Sequence, residues 1–273
     1  MKIFKELVPY LYERSRLSIY NSKKYKTRNK KKIVPVIVSL TTIPSRLDVV
    51  HFTIKSLLIQ EHRAEKVILN LHKSLKNKIP KNLKKLEGEI FEIHYSEIDC
   101  PHLKLIETLK RFPSKNIITV DDDQIYPSNL IKILFNEHLK NPKAIISNIS
   151  RLIKFDSNQQ PLPYQKWPYV KKKTSSKFLL PLGVFGVLYP ANSLNEKVFD
   201  LKLMNELAPK ADDLWFKAMS LLNNTPVSIC EKTIQPVTII NTQEITLKRF
   251  NVSQDNNRIQ WEKLMNTFNI EVE

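Results

Sequence analysis

The pattern of apolar and polar positions changes character at residue 33. Residues 33 to 40 form an almost unbroken apolar run (Ile33, Val34, Val36, Ile37, Val38, Leu40), as expected of a strand buried on both faces of a parallel sheet. A polar loop with Pro44 follows over residues 41 to 46. Ile54, Leu57 and Leu58 then recur at helical spacing, which predicts a helix over residues 47 to 60. Residues 67 to 71 read as a second strand. Strand, loop, helix and strand in that order make the βαβ unit of a parallel sheet, with a right-handed crossover.

The alternation continues to residue 150. Phe91, Ile93 and Tyr95 mark a third strand, and Leu105, Ile106 and Leu109 share one face of a predicted helix over residues 102 to 112, with Pro113 beyond its end. A short apolar strand over residues 116 to 120 runs directly into Asp121, Asp122 and Asp123. Pro127 opens a predicted helix to residue 139, and residues 144 to 147 read as a further strand. Beyond residue 150 the regularity fades. Residues 154 to 177 are rich in Pro, Lys and aromatics without a clear period and read as a long loop facing substrate. Helices are expected over residues 210 to 222 and 257 to 268, and there is no internal repeat. The fold class is therefore α/β: a mostly parallel sheet flanked by helices, in one domain over residues 33 to 273 that divides at residue 150.

Charge changes the picture at the N-terminus. The chain carries a formal net charge of +17, and residues 1 to 32 hold eleven Lys or Arg against Glu6 and Glu13, so +9 of it lies in that arm. An arm of this kind is either a solvated tail or a tether to an anionic surface, with membrane lipid ahead of nucleic acid. Ile3, Phe4, Leu7, Val8 and Leu11 recur at helical spacing beside Lys2, Lys5 and Arg14, a pattern suited to lying on a membrane. No apolar stretch approaches the ~20 residues that span a bilayer. Glu6, Pro9, Glu13 and Arg14 also interrupt the apolar region that a secretory signal needs. Two distant cysteines, Cys100 and Cys230, fit a reducing compartment. The expected location is the cytoplasm, on the inner face of the plasma membrane if the arm docks.

Three short segments carry chemistry. Asp121, Asp122 and Asp123 stand at the carboxyl end of a buried strand, where open α/β sheets bind ligands. Clustered carboxylates repel unless a cation lies among them, and hard ions such as Mn²⁺ or Mg²⁺ share oxygen ligands between carboxylates and phosphates. An acidic turn ahead of Pro127 is the plainer alternative. Two of the three glycines of the chain, Gly183 and Gly186, flank Val184 and Phe185, which marks a constrained turn, a bulge or a place where ligand touches main chain. Asp212 and Asp213, followed by Leu214 and Trp215, open a predicted helix; capping alone could explain them, and so could general-base catalysis.

Taken together, these residues resemble glycosyltransferases of the GT-A fold, in the family 2-like branch that builds bacterial capsule and lipopolysaccharide. The resemblance covers residues 33 to 237 and implies a Rossmann-like sheet with a nucleotide-binding half to residue 150 and an acceptor-side half beyond it. Residues 39 to 46 look like the opening donor loop, so Thr41, Pro44 and Arg46 would hold base or pyrophosphate. Lys104 would contact phosphate or nucleobase. In the D-x-D position Asp121 would meet the ribose region and share the metal with Asp123, with Asp122 between them. Gly183, Val184, Phe185, Gly186 and Trp215 would border the donor sugar and acceptor, and Asp213 would be the base, supported by Asp212. A guanidinium such as that of Arg46 also suits phosphate on its own chemistry.

Some features of that family are missing. All six histidines lie at or before His138, so no C-terminal His can reach the metal, and Asn241, Asn257 or water are the candidate completions. The Gln-x-x-Arg-Trp motif of processive synthases is absent, which favours transfer of a single sugar. The expected partners are a nucleotide-sugar donor, by default a UDP-sugar, and a glycan or lipid-linked saccharide acceptor, with no nucleic acid. Two rivals remain: a nucleotidyltransferase of similar fold, and a non-catalytic nucleic-acid-binding protein using Tyr164, Trp167 and Tyr169 among lysines. The second leaves the acidic triplet unexplained.

Overall fold

The computed structural model describes residues 2–19, 32–240 and 255–272. Strands β1 (Ile33–Thr41), β2 (Arg63–His72), β3 (Phe91–Ser96) and β4 (Asn116–Thr119) run parallel. After β4 the chain makes the short β5 (Gln124–Ile125), then β6 (Ile145–Ser147). A small antiparallel sheet follows, with β7 (Ser150–Leu152) between β8 (Tyr169–Val170) and β9 (Leu179–Pro181). Strand β10 (Val187–Tyr189) inserts antiparallel between β4 and β6, and β11 (Val227–Ile229) pairs parallel to β6. The central sheet therefore has seven strands in the order β11-β6-β10-β4-β1-β2-β3. Finally β12 (Val237–Thr238) closes a ribbon with β5.

Successive strand residues send side chains to opposite faces, and the two cores follow that alternation. Ile117, Ile145 and Val187 join one core, while their neighbours Ile118, Ile146 and Leu188 join the other. The helices are α1 (Lys2–Ser18), α2 (Val50–Leu58), the single turn α3 (Lys81–Lys84), α4 (Leu103–Arg111), α5 (Leu130–Lys140), α6 (Leu201–Leu207), α7 (Asp212–Leu222) and α8 (Asn256–Phe268). Helices α2 and α5 cover one face; α4, α7 and α8 cover the other, around the fully buried Trp215 and Trp261.

One polar group beneath the sheet sets the position of α4. Ser39 is fully buried in β1, and its hydroxyl bonds the Lys104 carbonyl and the Thr108 hydroxyl, at 2.6 Å for the latter. The Asn70 amide of β2 donates to both hydroxyls, at 2.9 and 3.1 Å. A buried hydroxyl left unpaired costs free energy, so this network holds the start of α4 against the sheet in one register.

The structure differs from the sequence expectations in places. The loop after β1 contains a turn of 3-10 helix, Pro44–Arg46, before α2 begins, because Pro44 pre-sets the backbone for such a turn. Residues 154 to 177 are not one irregular loop: they include a 3-10 turn at Tyr164–Lys166 and strand β8. The N-terminal segment also contributes to a core. Tyr10 and Leu17 of α1 are buried in a cluster with Phe52, Ile59, Ile125 and Ile239, and Lys55 donates to the Leu17 carbonyl at 3.1 Å.

Candidate active site

The carboxyl ends of β1 and β4 lie side by side, and both run out into a cleft of about 1170 Å³. Thr41, Pro44 and Arg46 line it from the loop after β1, and Asp121, Asp122 and Asp123 from the end of β4. Lys104, Asp212 and Asp213 line it from the first turns of α4 and α7. Residues from four chain segments thus converge where an open α/β sheet binds its ligand.

The three aspartates are held differently. Asp122 turns inward: Arg46 Nη1 lies 2.6 Å from one carboxylate oxygen, the Thr42 hydroxyl donates to the other, and the Thr53 hydroxyl donates to its carbonyl at 2.7 Å. Its carboxylate ties the loop after β1 to the end of β4, and the residue also lines the cleft. Asp123 faces Arg46 Nη2 at 3.2 Å and accepts from the Gln124 amide at 2.9 Å. Burial and the charge of Asp121 push its carboxyl up to about 6, although Arg46 pulls the other way. Asp121 is the most open of the three, with Lys104 Nζ at 2.7 Å. Its backbone N–H donates to the Tyr126 hydroxyl at 2.9 Å, and that hydroxyl donates to the Val184 carbonyl at 3.0 Å. Tyr126 therefore links the acidic edge to the glycine turn.

Lys104 joins this edge to the second acidic pair. Its ammonium is buried between Asp121 and Asp212, the latter at 2.8 Å. Burial disfavours the charged lysine, but Asp121, Asp212 and Asp213 outweigh it and hold the ammonium charged well above its ordinary range. Asp212 and Asp213 open α7, where exposed backbone N–H groups favour negative charge. Their proton affinities are driven apart. Burial raises both, but the adjacent Lys104 brings Asp212 below the ordinary carboxylate value, whereas the charge of Asp212 adds to burial and raises Asp213 well above it. The two carboxylates therefore differ: Asp212 holds its charge, while Asp213 binds a proton more readily. The Gly183 N–H donates to both Asp213 oxygens, at 3.1 and 3.3 Å, and fixes the carboxylate in the half-buried wall of the cleft.

Space at Gly183 is tight, and a side chain there would have to displace the charged groups around it. A Cβ there would stand 3.0 Å from Lys104 Nζ, 3.1 Å from Asp213 Oδ1 and 3.4 Å from Asp121 Oδ1. Val184 and Phe185 line the cleft beside it. Two expected residues do not. Gly186 adopts φ +90°, and its Cβ would meet Leu130 at 3.0 Å, so it serves the turn and its packing on α5. Trp215 is fully buried, and its indole donates to the Val198 carbonyl at 3.3 Å. It is a core residue, because the first turn of α7 points Asp212 and Asp213 at the cleft and the next residues inward.

The structure adds residues that the sequence did not single out, among them Thr42, Tyr126 and Arg151. Arg151 of β7 lines the cleft with its guanidinium 4.5 Å from the Tyr164 ring centroid and 4.1 Å from that of Tyr169, and these two tyrosines, considered from sequence as stacking residues for nucleic acid, line it too. This aromatic wall stands at the end occupied by Asp213. Asn257, a candidate metal ligand by sequence, lines the cleft as well; Asn241 lies outside the described residues.

The donor set suits a divalent cation only if the ligand completes it. Among the described residues no three His, Cys, Asp or Glu side chains are gathered as a cage. Asp121 and Asp123 offer two hard carboxylate sites at the rim of the cleft. That pattern fits Mg²⁺ or Mn²⁺ bound through one or two carboxylates, with phosphate oxygens and water supplying the rest.

No family profile and no curated protein matches the chain. Several solved structures are similar to it at low identity. The inositol-1-phosphate CTP transferase from T. maritima is 11% identical, with 87% of this chain and 97% of that one covered at a TM-score of 0.48. The 4-diphosphocytidyl-2C-methyl-D-erythritol synthase from Anaerococcus prevotii is 15% identical, with 84% and 96% covered at 0.46. TarS of S. aureus, residues 1–349, is 14% identical, with 89% and 75% covered at 0.44.

Proposed function

We propose that this protein is a glycosyltransferase that moves a single sugar from a nucleotide-sugar donor to an acceptor hydroxyl by direct displacement with inversion. The observation that carries this reading is the split acidic pair: a base-competent Asp213, locked by Gly183 N–H, faces the same cleft as the Asp121–Asp123 edge. The donor diphosphate would lie along Arg46, Asp121 and Asp123, with the nucleoside towards Thr41 and Pro44. A cation held by Asp121 and Asp123, Mn²⁺ or Mg²⁺, would offset charge on the departing diphosphate. Lys104 is committed to Asp121 and Asp212, so its part is to hold both carboxylates correctly aimed. Asp213 then takes the proton of the acceptor hydroxyl, which requires hydrogen-bond reach in the bound complex. The wall of Arg151, Tyr164 and Tyr169 offers stacking faces to an acceptor glycan.

The acceptor we favour is a lipid-linked saccharide at an anionic membrane. Helix α1 has two apolar faces. Tyr10 and Leu17 pack on the body, while Val8, Leu11 and Tyr12 project from the opposite arc and are 64, 47 and 67% exposed, with Ile19 just past the helix end at 83%. Glu6, near the start of the same helix, lines the cleft. A membrane-seated α1 would therefore place the cleft mouth beside lipid headgroups. The surrounding +9 of the first 32 residues supplies complementary charge.

A screen of nucleotide sugars by thermal shift, with and without Mn²⁺, should find a donor that raises the melting temperature only when metal is present. Asp123→Ala should lose that shift. With this donor and an acceptor, product analysis should detect a nucleoside diphosphate; release of pyrophosphate would instead establish nucleotidyl transfer.

A further inference from the structure

A second cavity, of about 470 Å³, lies away from the cleft at the other end of α7. The outer half of α7, the entry to β11, the end of α8 and residues 175 to 177 line it, and it opens to solvent. Lys217 is at its wall and is 2% exposed. Lys104, the other deeply buried lysine, sits among carboxylates; the Lys217 ammonium has no hydrogen bond or ion pair among the described residues. A buried cation without a counter-charge is costly, and the cost is relieved either by loss of its proton or by an anion seated against it.

The rest of the lining indicates what that something is. Ser175, Ser176, Asn224 and Thr225 bring hydroxyl and amide donors, while Leu221, Leu222, Val227, Phe268 and Ile270 bring apolar surface. The other charged groups on the cavity are Lys177 and Glu271, both exposed at the rim and of opposite sign. The inner charge to be balanced is therefore a single positive one, beside an apolar wall. We propose that this cavity binds a small organic monoanion, a carboxylate on a short aliphatic body, with Lys217 as its cationic anchor. The site is independent of the glycosyl-transfer reading.

Proton linkage sharpens the proposal. Burial lowers the Lys217 ammonium to about 7. A carboxylate seated against it favours the charged form and raises it again. Above pH 7 the anion must therefore bind together with a proton, and its affinity should weaken by about tenfold for each further pH unit.

Hexanoate is the probe, and calorimetric titration of the full chain is the measurement. At pH 6.5 the protein should bind it saturably, more tightly than acetate, and binding should fade at pH 8.5. Lys217→Met replaces a buried amine with an apolar chain of similar length, so it should keep or raise the melting temperature and weaken hexanoate by at least about tenfold. Absence of saturable binding at pH 6.5, equal binding by the folded Lys217→Met protein, or equal affinity for acetate would each overturn the proposal.

Discussion

Gly183 shows how much of this site depends on what is missing from a side chain. Its N–H reaches both Asp213 oxygens, and three charged atoms stand within 3.4 Å of where a Cβ would be. Gly183→Ala should leave the circular dichroism spectrum unchanged while lowering kcat by tenfold or more, since a misplacement of a few tenths of an ångström at the base costs at least about 1.4 kcal/mol in the transition state. A kcat within twofold of wild type would contradict the role given to this turn. The position was legible beforehand because glycine is so rare in the chain that two in one segment stand out. Thr42 and Tyr126 were not legible. The Thr42 hydroxyl serves an aspartate 80 residues away and the Tyr126 hydroxyl a carbonyl 58 residues away, and no local pattern encodes such pairings. Trp215 was misjudged for a related reason: helical phase decides whether a residue beside a catalytic pair faces the cleft or the core.

Among the elements, α1 has the most direct consequences. Its two opposite apolar faces separate folding from docking. Leu17→Ala empties a fully buried position and should lower stability by about 2 to 5 kcal/mol in denaturant unfolding. Val8→Ser combined with Leu11→Ser changes exposed positions only, so stability should stay within about 0.5 kcal/mol per substitution while binding to anionic vesicles falls several-fold. Equal vesicle binding by the double variant would remove the membrane-facing role from α1. The sequence pointed to an amphipathic segment but placed Leu7 on the membrane face; in the structure Leu7 is half-buried and Tyr12 and Ile19 are exposed instead. Strands β1 to β4 were readable because each is a continuous apolar or alternating run. Strand β10 was not recognised, because three residues pairing antiparallel between β4 and β6 have no periodicity long enough to show.

At the scale of the whole molecule, the sheet brings two carboxylate pairs, Asp121 with Asp123 and Asp212 with Asp213, to one cleft and links them through Lys104. The linkage makes the pH dependence specific. A base must be deprotonated to act, and the Asp213 carboxyl is raised well above the ordinary carboxylate value, so turnover should rise with pH along a limb centred well above pH 4. Lys104→Met removes the cation that holds Asp212 below the ordinary value, and the limb should shift. The α/β plan was visible up to residue 150 from alternation alone, whereas the later half is built from short strands and turns whose pairing only the tertiary fold determines. The central claim is that Asp213 performs proton abstraction and takes no part in holding donor. Donor affinity and single-turnover transfer measured on Asp213→Asn test it most directly: donor binding within about threefold of wild type with transfer reduced by at least about 10²-fold is the expected result, and transfer near the wild-type rate would contradict it.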